Sequence, residues 1–170
     1  MDKLTAGKDV AKGEINVFIE IPEGSFIKYE LDKDTNLVTV DRFSYTTMAF
    51  PANYGFIPGT LGEDGDPLDA LVITSYALHP GVVIPSRVIG MLEMEDEAGI
   101  DTKIIAVPTK KADPFLTRIE DVKDLDEIVK NKIQHYFNHY KELEPGKWVK
   151  TKSFLSKQYA LDAIKKALKK

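Results

Sequence analysis

Four carboxylates lie within seven residues in the segment EDGDPLD, at positions 63–69. Three of them, Asp64, Asp66 and Asp69, follow an Asp-x-Asp-x-x-Asp spacing, with glycine and proline between them to favour a turn. Carboxylates this close repel one another, so a folded chain normally gathers them around a hard divalent cation such as Mg²⁺ or Ca²⁺. The segment therefore predicts a metal site, either structural or catalytic.

Two simpler explanations compete for this segment. An EF-hand calcium loop counted from Asp64 would need glycine at its sixth position and glutamate at its twelfth, but Asp69 and Ser75 stand there. A solvated acidic turn without any ligand stays open on this segment alone. Acidic residues elsewhere in the chain decide how much weight the metal site deserves.

A second acidic cluster spans residues 93–103. It contains five carboxylates, among them Asp96 and Asp101, and ends at Lys103. By itself such a run is usually a solvated face. Two acidic clusters at strand ends, each close to lysine or aromatic residues, are more typical of opposite walls of one site.

The early part of the chain supplies charged residues for a third wall. Glu20 ends an apolar strand, and Lys28 and Glu30 are two residues apart on the next one. The two-residue period of a strand places Lys28 and Glu30 on one face, and Arg42 follows on the adjacent strand. An ordinary surface ion pair, which contributes little to stability, is the alternative for each of these residues.

Short strands must position these groups. β-branched and alternating apolar segments, separated by turn residues, predict strands over 15–21, 26–31, 36–43, 68–74, 82–94 and 102–109. Many short strands without alternating helices favour a small OB-like closed β-barrel over a parallel α/β sheet. We expect a mainly β fold with extra hairpin strands, forming one domain over 1–170.

Helical spacing occurs only in the last third of the chain. Apolar residues three and four apart predict one helix over 125–140, with Asp124 and Glu127 as a capping pair at its start. A second amphipathic helix is predicted after Ser156. Trp148, between the two helices, is expected in the core or as a plug of the barrel.

Composition excludes several functional classes. The 170 residues carry 27 acidic and 23 basic side chains, a net charge of −4, which disfavours binding to nucleic acid. Cysteine is absent, so a metal site must use oxygen or imidazole ligands. Residues 1–14 lack the apolar core of a signal peptide, and no apolar stretch approaches the ~20 residues of a membrane span. These features predict a cytoplasmic protein without a membrane partner.

Taken together, the segments resemble soluble family I inorganic pyrophosphatases. The similarity runs in order over roughly residues 10–150 and is carried by IEIP, IKYE, VDRF, FPANYGFIPGT, EDGDPLDALV, MEDEAGIDTKIIAVP and IQHYFNHYKELEPGKWV. The DGDPLD core is the most specific of these motifs. The chain length matches the compact prokaryotic members.

This resemblance implies hydrolysis of pyrophosphate to two phosphates by a metal-activated hydroxide, with Asp66 as the general base. It implies metal ligands at Asp64, Asp69, Asp96, Asp101, Glu20 and Glu30. It implies that the phosphates are held, as part of the catalytic set, by Lys28, Arg42, Tyr54, Lys103, Tyr140 and Lys141. Mg²⁺ is the implied cofactor, with Mn²⁺ or other divalent ions as substitutes, and Ca²⁺ is expected to inhibit.

The resemblance also implies an oligomeric state, and the chain departs from the family pattern at one position. Compact prokaryotic members form homohexamers, and the predicted helix, with His135 and His139 one turn apart, is a candidate for such contacts. Many bacterial relatives carry tyrosine where this chain has Phe50, so no hydrogen-bonding role passes to that residue. We expect this difference to tune activity without abolishing it.

Two other classes of function remain as alternatives. An OB-like module for single-stranded nucleic acid would need a basic groove with aromatic residues, whereas acids stand at the strand ends here. An inactive metal-binding relative is disfavoured because Asp66 and Asp69 are both present. The chain also lacks the GxxxxGK[ST] pattern of a P-loop nucleotide hydrolase.

Overall fold

Nine strands and two α-helices make up the computed structural model, which describes residues 4–169. The strands are β1 (Glu14–Ile21), β2 (Ile27–Leu31), β3 (Val38–Phe43), β4 (Asn53–Phe56), β5 (Asp69–Val72), β6 (Val83–Asp96), β7 (Gly99–Ile100), β8 (Lys103–Pro108) and β9 (Val149–Ser156). The helices are α1 (Glu127–His139) and α2 (Lys157–Ala167). Neither helix is long and apolar enough to cross a membrane, within the residues described.

Five strands form a closed ring. They are hydrogen-bonded in the order β1-β4-β5-β8-β6, and β1 also pairs with β6. All neighbours run antiparallel except β5 and β8, which are parallel. The long strand β6 closes the ring with its first half and carries β9 on its second half. The predicted mainly β class and OB-like architecture are confirmed.

The hairpin of β2 and β3 lies outside the ring as a separate two-stranded sheet. Its register places Lys28 directly opposite Arg42. The hairpin therefore presents both cations from one pair of neighbouring positions. Lys28 also lies 3.7 Å from Glu30, as expected for two residues on one face of a strand.

Two apolar clusters fill the molecule, one beneath each helix. Ile133 and Phe137 of α1 pack with ring residues such as Leu71 and Ile105, all at most 1% exposed. Ala160 and Ile164 of α2 pack against the other cluster, which includes Val17 and Ile57. Each helix therefore covers the ring with one apolar stripe, as the helical spacing predicted.

The details between the strands and helices differ from the prediction in three places. Asp126, not Asp124, precedes α1, while the Asp124 carboxylate accepts main-chain N–H groups of Glu120 and Asp121. Trp148 is 46% exposed, so its expected place in the core is wrong. Strands β4, β7 and β9 were not predicted.

Close approach of two strands imposes a glycine at position 55. A Cβ built there would lie 1.8 Å from the main-chain oxygen of Phe18 on β1. We expect Gly55→Ala to lower the free energy of unfolding by about 2–3 kcal/mol, because the ring must open locally to admit one methyl group. Urea denaturation measures this loss.

Gly24→Ala is the matched control, because Gly24 has a positive φ of 81° but nothing within 4 Å of its added Cβ. Its expected cost is about 1 kcal/mol, from the left-handed backbone alone. Equal losses of unfolding free energy in the two variants would contradict a steric clash between a Cβ at position 55 and strand β1.

Candidate active site

A cavity of about 350 Å³ opens at one end of the ring, between the β2–β3 hairpin, residues 64–69, the β6–β7 turn and the end of α1. Ten of the thirteen residues singled out from the sequence line it: Lys28, Arg42, Tyr54, Asp64, Asp66, Asp69, Asp96, Asp101, Lys103 and Tyr140. Glu20 and Glu30 line an adjoining cavity of about 380 Å³ that shares Asp66 and Asp69. Lys141 contacts Asp96. All thirteen residues therefore meet in one region.

Lys103 is the buried centre of this region. It begins β8 and is 3% exposed, and its Nζ donates to Asp69 at 2.5 Å, Asp101 at 2.7 Å and the Tyr54 hydroxyl at 3.1 Å. The parallel register of β5 and β8 pairs Ala70 with Ile104, which places Asp69 beside Lys103. The parallel pairing of β5 and β8 thus brings a carboxylate and an ammonium group together at the N-terminal ends of the two strands.

Charge compensation decides the ionisation of Lys103. Burial opposes its charge, but the Asp69 and Asp101 carboxylates outweigh burial, so the pKa of Lys103 lies well above its ordinary value. Burial raises the pKa of Asp101, partly offset by Lys103. Burial also raises the pKa of the Tyr54 and Tyr140 hydroxyls, which keeps both protonated as hydrogen-bond donors.

The acidic segment folds as a tight turn. The Asp66 N–H donates to an Asp64 carboxylate oxygen at 3.0 Å, and the Asp66 carbonyl accepts from Gly62. Gly65 has a φ of 88°, the left-handed conformation that glycine adopts without strain. The Asp66 carboxylate bonds to Lys33 at 2.5 Å, a partner that sequence reasoning missed.

A β-bulge turns Glu20 toward the site. In β1, Ile19 pairs with Gly55 and Ile21 with Tyr54, so Glu20 is the extra residue. Its carboxylate accepts from the Leu31 N–H at 2.8 Å. Burial, together with nearby Asp69 and Glu30 charges, raises the pKa of Glu20 to about 7, although the Leu31 bond opposes the shift.

The hairpin cations are held by Glu30 and by two acids that the sequence did not single out, Asp41 and Glu144. Lys28 lies 3.2 Å from Asp41 and 3.7 Å from Glu30. Arg42 pairs through Nη1 with Glu144 at 3.1 Å, and the Glu144 side chain is only 12% exposed. Glu144 follows α1, so this pair links the hairpin to the opposite wall of the cavity.

The β6–β7 turn is fixed by a second group of ion pairs. Lys141 lies 3.0 Å from Asp96 and 3.2 Å from Glu97, and Lys147 lies 3.0 Å from Glu97. Partial burial would raise the pKa of Glu97, but hydrogen bonds from its own N–H, Lys147, the Trp148 N–H and Lys141 lower it to about 2. Only the charge run suggested Glu97, and no sequence signal pointed to Glu144.

The donor set fits a hard divalent cation. Among residues 4–169, no three His, Asp or Glu side chains already surround one metal position, and lysines pair with several of the carboxylates instead. Yet the cavity offers oxygen donors without any thiol, and burial with neighbouring negative charge raises the pKa of Glu20. Such a set favours Mg²⁺ or Mn²⁺ over zinc.

Phe50 lines the cavity wall between two tyrosines. It is 8% exposed, and its ring lies 5.6 Å from Tyr54 and 5.1 Å from Tyr136.

We expect Phe50→Tyr to change kcat/KM by less than about fivefold, since one added hydrogen bond contributes about 0.5–1 kcal/mol. Steady-state phosphate release measures it, with the exposed Phe115→Tyr as control. Restoration of activity from near zero would contradict this expectation.

Comparisons with known proteins point to one family. Residues 17–170 match the family described as inorganic pyrophosphatase. The inorganic pyrophosphatase of Saccharolobus solfataricus is 58% identical over 168 residues, covering 99% of this chain and 97% of that protein. The Aquifex pyrophilus enzyme is 57% identical over 165 residues, covering 97% and 93%.

Solved structures agree. The Helicobacter pylori inorganic pyrophosphatase superposes with a TM-score of 0.93 at 47% identity, covering 98% of this chain and 96% of that one. The Thermus thermophilus enzyme gives 0.93 at 44% identity, covering 97% and 94%.

Proposed function

This chain belongs to the inorganic pyrophosphatase family, and we propose that it hydrolyses pyrophosphate in the cavity described above, with Asp66 as general base. The observation that carries the proposal is the meeting, at two adjoining cavities, of the seven carboxylates and four cations that the sequence singled out. The carboxylates still outnumber the cations when Lys33 and Lys169 of the adjoining cavity are counted with these four. Such a surplus would repel a pyrophosphate anion unless divalent cations bind with it.

The residues proposed to hold Mg²⁺ are the carboxylates lining the two adjoining cavities: Asp64, Asp69, Asp96, Asp101, Glu20 and Glu30. Mg²⁺, when bound, would neutralise phosphoryl oxygens and acidify a water molecule. The Lys103 pairs with Asp69 and Asp101 support this assignment, because they bring the two partly exposed carboxylates together around one buried ammonium group.

Six residues are proposed to hold the phosphates: Lys28, Arg42, Tyr54, Lys103, Tyr140 and Lys141. They approach from three sides, with Lys28 and Arg42 on the hairpin and the others on the ring or after α1. Cations and hydroxyl donors placed in this way stabilise the negative charge that develops on the leaving phosphate. Protonated Tyr54 and Tyr140 suit that role.

Asp66 is proposed to accept the proton of the attacking water. Water adds to one phosphorus as the bridging P–O bond breaks, and the leaving phosphate takes the bond electrons. The Asp66 side chain is 64% exposed and lines both cavities, so water and substrate can reach it. Lys33, which also lines the adjoining cavity, holds it in position through their ion pair.

Phosphate release from pyrophosphate tests the proposal directly. We expect rapid release with Mg²⁺, weaker or comparable release with Mn²⁺, and none in excess EDTA. Well-folded protein that releases no phosphate with either ion would reject the assignment. A cytoplasmic location and a homohexamer are proposed alongside, and sedimentation would measure the assembly.

Calcium should inhibit the Mg²⁺-supported reaction. Ca²⁺ takes six to eight oxygen ligands at about 2.3–2.6 Å, whereas Mg²⁺ requires an octahedron at about 2.0–2.1 Å. We expect the rate in Ca²⁺ alone to be at least about tenfold lower, since displacements near 1 Å can cost ~100-fold. Initial rates at matched free-ion concentrations measure this, and full activity in Ca²⁺ alone would contradict it.

A further inference from the structure

The β2–β3 hairpin is held against the other cavity walls by side chains. Among the residues described, its two strands pair only with each other and not with the ring. Three polar contacts join it to β1, to the acidic turn and to the segment after α1: Leu31 to Glu20, Lys33 to Asp66, and Arg42 to Glu144. Five of these six residues already belong to the proposed site or hold it, whereas Glu144 has no role in it so far.

Glu144 is shielded within an otherwise exposed turn. Every other residue from 142 to 148 is exposed, but the Glu144 side chain is only 12% exposed. Charged side chains are rarely buried to this extent unless they are paired. Its partner is Arg42, whose Nη1 lies 3.1 Å from a Glu144 carboxylate oxygen. Water screens this pair less than it screens a surface pair, so the pair constrains both side chains.

Arg42 keeps hydrogen-bond donors for a phosphate group. Its Nε lies 3.5 Å from Asp41 and its Nη1 lies 3.1 Å from Glu144. A guanidinium carries five N–H donors, so two carboxylate contacts leave donors for another anion. The Arg42 side chain is 43% exposed and lines the cavity, where substrate can reach it. Acids at two different nitrogens fix the orientation of a planar group whose recognition of phosphate depends on orientation.

The turn that carries Glu144 also carries phosphate-binding residues of the opposite wall. The Glu144 N–H donates to the Lys141 carbonyl at 3.0 Å, and Tyr140 directly precedes Lys141. The Arg42–Glu144 pair therefore sets the position of the hairpin relative to Tyr140 and Lys141. No contact within the hairpin itself can set this distance across the cavity.

We propose that Glu144 is a positioning residue for substrate binding: it orients Arg42 and holds the hairpin at a fixed distance from Tyr140 and Lys141. The inference rests on the proposed hydrolysis of pyrophosphate. A carboxylate only accepts hydrogen bonds and repels an anion, so Glu144 acts on the substrate through Arg42 and does not bind it.

Steady-state phosphate release at saturating Mg²⁺ tests this role in Glu144→Gln, which removes the charge and keeps the shape. We expect the KM for pyrophosphate to rise about three- to tenfold, in line with the coupling of residues in direct contact. We expect kcat to change less than about threefold, because the lost orientation affects ground state and transition state alike. Glu144→Asp, which withdraws the charge by one methylene, should give an intermediate KM and carries the test if the glutamine variant does not fold.

A double-mutant cycle separates positioning of Arg42 from a general structural role. In an Arg42→Lys background, Glu144→Gln should raise KM less than about twofold, since the guanidinium that it orients is gone. Glu120→Gln is the matched control, because it breaks a 3.2 Å pair with Arg87 outside the residues that line the two cavities. It should keep the wild-type KM. Thermal melting checks the fold of each variant.

Calorimetric titration with imidodiphosphate and Mg²⁺ gives a second readout that needs no turnover, and Glu144→Gln should weaken this binding by the same factor as it raises KM. An unchanged or lower KM in Glu144→Gln, with active wild type, would overturn the positioning role and leave the proposed function standing. An equal rise in both backgrounds would show that Glu144 does not act through Arg42 and would overturn it as well. Wild type that releases no phosphate would instead reject the function on which the inference rests, and the inference with it.

Discussion

Replacing Lys103 by methionine is expected to lower the free energy of unfolding in EDTA by about 3 kcal/mol. Lys103 is 3% exposed and bonds to both Asp69 and Asp101. Methionine keeps most of the volume but leaves two carboxylates without their buried cation. The loss lies at the lower end of the buried-pair range, because the Asp69 and Asp101 side chains are 32% and 24% exposed and water screens part of their repulsion.

Mg²⁺ should recover part of this loss in the variant. A cation that binds the native carboxylates stabilises the folded state by mass action, and removing the lysine strengthens that binding. Urea denaturation with and without Mg²⁺ measures the difference. Lys110→Met is the control, because Lys110 and Glu120 form a pair more than half exposed, for which less than about 1 kcal/mol is expected. Equal stabilisation of wild type and Lys103→Met by Mg²⁺ would argue against a metal site at Asp69 and Asp101.

The ring and the cavity could be predicted from sequence because both rest on short-range patterns. β-branched runs marked six of the nine strands, and charged residues at the ends of those runs marked the walls. Strand ends meet at one edge of a closed sheet, so clusters that are distant in sequence meet there. Their proposed roles, in contrast, came from the family resemblance and not from spacing.

The remaining features depend on contacts that no local pattern encodes. Strand β4 is four residues long with a glycine inside it, and β9 has only three apolar residues among two lysines and three hydroxyl side chains. Glu144 and Lys33 matter only because the folded chain brings them to Arg42 and Asp66. The Glu20 bulge likewise exists only in the register between β1 and β4.

Asp66→Asn is expected to lower kcat by about 10²–10⁴-fold with a smaller change in KM, because general-base catalysis contributes that much. The amide keeps the shape of the side chain but cannot accept the proton of the attacking water. The Asp66–Lys33 pair is about two-thirds exposed on both sides, so its loss should leave the stability of the fold nearly unchanged. Steady-state phosphate release with Mg²⁺ gives kcat and KM, and urea denaturation gives the stability.

Two control variants distinguish the effect of the Asp66 carboxylate itself from the effects of loop charge and of its ion pair. Glu63→Gln removes one charge from the same exposed loop, outside the residues that line the cavities, and should keep near-wild-type kcat. Lys33→Met breaks the ion pair but leaves the Asp66 carboxylate in place, so positioning alone would be lost. A large loss in Asp66→Asn with a modest one in Lys33→Met assigns the effect to the proton acceptor. Equal losses in these two variants would instead make the ion pair, and not the base, the reason that Asp66 matters.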